Sequence, residues 1–190
     1  MKTFKLRTVV FLALCCDLGL FSKRLIAPAA NAVTDLLHIP GGIGTSFSLM
    51  FLVIAAMLVD RFGCAAIMGA VQSVIALSMG MVGSMGILSP VGYIVPGLVI
   101  DLVIQSTRRT MLPPTTRAML ANSTAACCAA LTADLIVFRL QGTALLLYLC
   151  VAIATGAVCG IPAAEIARRL NSVIIISDTG RSPKERNDHE

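Results

Sequence analysis

The sequence predicts an all-α membrane protein, a compact bundle of six transmembrane helices with both termini cytoplasmic. Three observations lead there. Apolar residues make up 57% of the 190, and mean hydropathy is +0.88, far outside the soluble range. The apolar residues gather into runs at 9–22, 43–59, 64–82, 86–105, 118–138 and 143–167. A helix needs about 20 apolar residues to cross a hydrocarbon core of roughly 30 Å, so six crossings consume nearly the whole chain. Charge then agrees with the layout. Twelve of the fifteen Lys and Arg residues fall on the side shared by the two termini: Lys2, Lys5, Arg7, Arg61, Arg108, Arg109, Arg117, Arg168, Arg169, Arg181, Lys184 and Arg186. Only Lys23, Arg24 and Arg139 fall opposite. Basic loops stay cytoplasmic during insertion, which orients the bundle and explains the net charge of +5 without a nucleic-acid partner.

Span one is short, with Asp17 and Gly19 near its end. Its basic start followed by Val9–Cys16 has the outline of a signal peptide, and Leu12-Ala13-Leu14-Cys15 that of a lipoprotein box. A bulky leucine before the cysteine and Asp17 just after it argue against cleavage, so span one is expected to remain. The segment 22–42 reads as a long, partly apolar outer loop, in which Pro28 starts a short helix and Pro40-Gly41-Gly42 turns the chain into span two. It is either a lid over a pocket or a packed connector. The outer loop Gly80–Gly86 carries three glycines in seven residues and is either a hinge or a plain turn. On the inner side, Pro113-Pro114 within Gln105–Arg117 predicts a rigid turn facing headgroups or a partner.

Spans five and six are rich in alanine and glycine, including Gly156-x-x-x-Gly160. Small faces let helix backbones approach in lipid, either within one bundle or between subunits. The whole divides into a transmembrane domain, 1–176, and a polar cytoplasmic tail, 177–190. All seven cysteines lie in or beside apolar runs without C-x-x-C or Cys/His spacing, and are read as packing residues, neither disulfides nor zinc ligands.

Polar residues inside spans are the informative exceptions, because a charge at the bilayer centre costs about 3 kcal/mol on insertion scales. The expected orientation gathers Asp17, Gln72, Ser89, Tyr93 and Asp134 toward the outer side with the loop residues Asn31, Thr34, Asp35, His38 and Arg139. Of these, Asn31, Thr34, Gln72, Ser89, Tyr93, Asp134 and Arg139 are the candidate solute-binding residues: polar groups converging on one end of an apolar bundle. The plainer alternative is that Asp17 and Asp134 snorkel or pair with Lys23, Arg24 or Arg139. Asn122 falls in the inner half of span five. Glu165 is spaced to pair with Arg168 and Arg169, and Asp101 is near enough in sequence to pair with Arg108 or Arg109. Catalytic residues are not assigned, since His38 and His189 are the only histidines and no nucleophile has a base placed for it. Neither H-E-x-x-H nor G-x-x-x-x-G-K-[ST] occurs, so ATP-driven work would need the ATPase on another chain.

These features, with Leu6–Leu14, Asn31…Pro40-Gly41-Gly42, Phe47-Ser-Leu-Met-Phe51 and Tyr93-x-x-Pro96-Gly97-x-x-x-Asp101, give a chain that resembles the substrate-binding S component of energy-coupling factor (ECF) transporters. The resemblance covers residues 4–170. It implies capture of a vitamin, cofactor or cofactor precursor at the outer face of a prokaryotic plasma membrane. It also implies partners: a transmembrane coupling subunit and two ATPase subunits that use ATP, while this chain binds no cofactor itself. In such proteins an Ala-x-x-x-Ala face on span one meets the coupling subunit. Here Ala13 is followed by Asp17, and Ala13 and Cys16 are the docking candidates. The nickel and cobalt members begin Met-His, which Met1-Lys2 does not match, so a metal ion is not the expected cargo. With no Trp and two Tyr, ring stacking is scarce, and Lys23, Arg24 or Arg139 are the cations able to meet a carboxylate or phosphate. Outside this resemblance, the alternatives are a self-sufficient small transporter or channel, which needs a continuous polar path, and a six-span membrane peptidase.

Overall fold

A computed structural model describes residues 6–36, 43–59, 61–80, 86, 88–139 and 142–179. The described residues form six helices and no strand: α1 (Leu6–Leu36), α2 (Ile43–Val59), α3 (Cys64–Ser78), α4 (Ser89–Thr107), α5 (Pro114–Ala133) and α6 (Thr143–Thr179). A π-helical turn, Asp134–Phe138, extends α5 without a break. Three of these are long and apolar enough to cross a membrane: α4, α5 with its extension to Val137, and α6 as far as Ser172. The apolar helices α2 and α3 are shorter. The described residues are therefore all-helical, and three of the helices have the length and apolarity of membrane spans.

Local chemistry explains the helix starts. Pro113 is extended (φ −62°, ψ 148°) and Pro114 occupies the first turn of α5, where a missing N–H costs no hydrogen bond. Gly63, at φ 88°, turns the chain into α3 in a left-handed conformation that disfavours a side chain. The largest departure from the sequence reading is α1. The segment expected to leave the membrane at Ser22 and form a loop continues as helix through Pro28 to Leu36. Residues 37–42, with His38 and the Pro40-Gly41-Gly42 turn, lie outside the described residues, as do Met81–Met85 and the tail from Gly180. Helix α6 runs to Thr179, past the expected start of that tail.

Packing is set by α2, which contacts every other helix. Around it the contacts run in the order α1, α3, α4, α5, α6. Residues Leu49, Met50 and Leu52–Ala56 of α2 are buried almost completely. Glycine supplies the closest approaches. A Cβ on Gly69 of α3 would lie 2.5 Å from the Tyr93 carbonyl oxygen of α4, and one on Gly97 would lie 2.6 Å from that of Ala65. The Gly156-x-x-x-Gly160 face is spent within the chain. It meets α5, where added Cβ atoms would lie 2.8 Å from the Ser123 Cα and 2.5 Å from the Met119 Cα.

Two ionic expectations separate. Glu165 pairs with Arg168 at 2.8 Å and Arg169 at 3.0 Å, as the spacing predicts. Asp101 turns instead to the start of α3, where its carboxylate accepts from the backbone N–H groups of Ala65 (3.2 Å) and Ala66 (2.9 Å). Gly63 offers no side-chain cap there, so a carboxylate from α4 satisfies the free N–H groups and the positive end of the α3 dipole.

Candidate functional site

A band of polar groups crosses the bundle at one level. On one side, Gln72 of α3 is buried and donates from Nε2 to the Cys16 carbonyl of α1 at 3.2 Å. Gly19 makes this possible, because a Cβ there would lie 2.6 Å from the same nitrogen. The Ser48 carbonyl of α2 is 3.6 Å from that position. On the other side, the Ser46 hydroxyl of α2 and the Thr155 hydroxyl of α6 are hydrogen-bonded at 3.0 Å, and Thr155 also lies 2.8 Å from the Val151 carbonyl of its own helix. Fully buried Asn122 of α5 donates from Nδ2 to the carbonyls of Gly156 (2.8 Å) and Ser46 (3.3 Å). Its Oδ1 is buried without a hydrogen-bond partner. These bonds join α1 to α3 and α2 to α5 and α6, a use of polar side chains suited to helices that gain no hydrophobic drive from association in lipid.

The helices end unevenly above this level. From Asn122 to Phe138, α5 and its π turn continue for about 24 Å at 1.5 Å per residue, and α6 from Gly156 back to Thr143 for about 20 Å. By the same measure, on the α1–α4 side, α4 begins at Ser89, one turn and about 6 Å from Tyr93.

The cation is found at this end. Lys23, one turn beyond Gly19 on α1, places its Nζ over the Tyr93 ring, 3.7 Å from the centroid. Both side chains are partly buried, and Ser22, next to Lys23, and Ser89, one turn before Tyr93, are buried. An ammonium on a ring face is held by the ring quadrupole, worth ~2 kcal/mol when water is excluded.

The expected residues therefore divide. Gln72 and Tyr93 are brought onto one face of α1, meeting Gly19 and Lys23, with Ser89 one turn from Tyr93. Asp134 is buried in a separate cluster, within electrostatic reach of buried Tyr148 on α6. Arg139 is exposed and adopts a left-handed backbone (φ 48°), its N–H bonded to the Asp134 carbonyl at 2.8 Å. Asn31 and Thr34 lie on the last turns of α1, with side chains outside the described residues. Asp17 departs from the outer group, being exposed on the outward face of α1 with Ala13, Leu14 and Phe21. The docking pair splits too: Ala13 is on that outward face, whereas Cys16 is buried, its thiol 3.9 Å from the Met68 carbonyl.

Sequence reasoning named Lys23 among three cations able to meet a carboxylate or phosphate but left it out of the solute-binding set, because ending span one at residue 22 moved it into a loop. The absence of any strong helix breaker between Ser22 and Leu36 other than Pro28 was the available signal. Ser46 and Thr155 carried no signal, since Ser and Thr hydroxyls in apolar helices commonly bond their own backbone.

No protein-family model, curated protein or solved structure matches the chain.

Proposed function

We propose that this chain is the membrane-embedded substrate-binding subunit of an ECF-type importer. It captures a vitamin, cofactor or cofactor precursor at the outer face of a prokaryotic plasma membrane, with six spans and both termini cytoplasmic. A coupling subunit and two ATPase subunits then power uptake. The observation that carries this reading is Lys23 seated on Tyr93 one turn from the start of α4, at the end toward which α5 and α6 extend further. A cation and buried hydroxyls at the staggered end of an apolar bundle suit capture of a solute, with the longer helices as walls.

The channel alternative draws less support. Gln72, Ser46, Asn122 and Thr155 are bonded across the bundle, helix to helix, which ties it shut at mid-depth instead of lining a path along it. Membrane-bound peptidase chemistry gains nothing from the buried thiols of Cys15, Cys16 and Cys64, which have no histidine among the described residues beside them.

The test is to purify the chain alone and identify by mass spectrometry any small molecule released on denaturation. Uptake of that molecule is then measured in cells with and without a coupling subunit and its ATPases. Retention by the solitary chain with ATPase-dependent uptake is the expected result. A chain that retains nothing yet conducts ions in liposomes would refute the reading.

A further inference from the structure

Building on the solute-capture reading, we propose that the captured solute carries an anionic group, a carboxylate or phosphate, and that Lys23 held over Tyr93 receives it. The side chain of Lys23 is partly buried in a bundle of apolar helices, where an uncompensated charge is costly. Lysines near a helix end usually snorkel toward water. This one lies across an aromatic ring at 3.7 Å instead. Among the described residues no carboxylate pairs with it, and it makes no hydrogen bond. The nearest acidic residue in sequence, Asp17, is exposed on the outward face of the same helix.

The ring attracts the ammonium through one face only, leaving N–H donors without an acceptor. An incoming anion supplies what is missing: a countercharge, and oxygen acceptors for those donors. Buried Ser22 and Ser89 flank Lys23 and the first turn of α4, which places hydroxyl groups near the same end. Gly69 is a further part of the device. Its missing side chain lets α3 reach the Tyr93 backbone, which fixes the ring that fixes the lysine.

The same chemistry could be met by a lipid headgroup, so the experiment separates the two sources. Melting of the full chain in detergent is followed with inorganic phosphate, benzoate and uncharged benzamide, for wild type, Lys23→Gln and Lys23→Arg. Melting in nanodiscs of phosphatidylcholine, with and without phosphatidylglycerol, is compared in parallel. Benzoate or phosphate should raise the wild-type melting temperature in a saturable way, with benzamide inert. Lys23→Gln should weaken that response about 10- to 100-fold, the loss of one charge-assisted hydrogen bond. Lys23→Arg, keeping charge and ring contact, should retain most of it. Equal responses to benzoate and benzamide, equal responses in wild type and Lys23→Gln, or no response to either anion would overturn the proposal. So would Lys23-dependent stabilisation seen only with phosphatidylglycerol, which would assign the cation to lipid. An uncharged molecule co-purifying equally with wild type and Lys23→Gln would overturn the anion assignment while leaving solute capture intact. A chain that neither retains nor responds to any small molecule would remove both.

Discussion

Replacing Gly160 by alanine tests the α5–α6 contact on which the polar band depends. The added Cβ would lie 2.5 Å from the Met119 Cα, 2.8 Å from the Met119 nitrogen and 2.9 Å from the Ala118 oxygen. Carbon atoms in contact sit at roughly 3.5–4.0 Å, so the helices must part by about 1 Å at this crossing. All three obstructing atoms are backbone, so no rotamer change relieves the clash. One turn away, Gly156 has its own 2.8 Å approach to Ser123 and accepts the 2.8 Å bond from Asn122, and both loosen as the helices separate. Overpacking of this kind costs about 1–3 kcal/mol. For a chain of this length each kcal/mol moves a melting midpoint by roughly 2–4 °C, which gives a fall of roughly 2–12 °C. The assay is thermal unfolding of the full chain in detergent at one scan rate, with Val158→Ala, at a position 65% exposed, as the control. If Gly160→Ala melts with the wild type, α5 and α6 are not in backbone contact there and the reasoning fails.

Other outcomes follow from the same structure. Asp101→Ala should lower stability by about 1–2 kcal/mol, because two N–H groups at the start of α3 lose their acceptor, with Asp101→Asn intermediate; equal melting of all three would remove the cross-helix cap. Tyr93→Phe should keep solute retention, since the ring face survives, while Tyr93→Leu reduces it several-fold; equal retention by both would detach the ring from the site. Ala13→Trp, on the outward face of α1, should impair partner-driven uptake and leave binding by the solitary chain unchanged. Cys16→Trp, inside the bundle, should instead lower the melting temperature, and a reversal of the two phenotypes would show α1 rotated about its axis. Arg139→Gly should raise stability by up to ~1 kcal/mol by relieving its left-handed backbone, as judged by melting; a fall would mean that the exposed side chain contributes contacts.

The helical layout was legible because hydropathy acts over whole segments. The run read as 43–59 is α2 residue for residue, and the Pro113-Pro114 turn begins α5 as its chemistry requires. Three helices carry the length and apolarity of a crossing on their own. What was not legible depends on neighbours. Pro28 looks like a helix start, yet helix precedes and follows it, and this one departure relocates Lys23 from a loop to the bundle. Asp101 looked like a partner for nearby arginines because sequence proximity was the only geometry available. Its acceptors' donors lie 36 and 35 residues earlier, on a helix brought close by Gly69 and Gly97. Of the candidate site, Gln72 and Tyr93 were found because polar residues stand out in apolar runs. Lys23 was named as one of three cations able to meet an anion, but nothing in the sequence set it on Tyr93.

The bond between Ser46 and Thr155 joins residues 109 positions apart, and it has a consequence for biosynthesis. At 5–20 residues per second, about 5–20 s separate the emergence of its two halves from the ribosome. Asn122 of α5, 76 positions after Ser46, is made during that wait, whereas Thr155 of α6 comes only at its end. The native neighbours of Ser46 are complete only after the final helix is made, so a chain stopped before Thr143 leaves its centre unsealed.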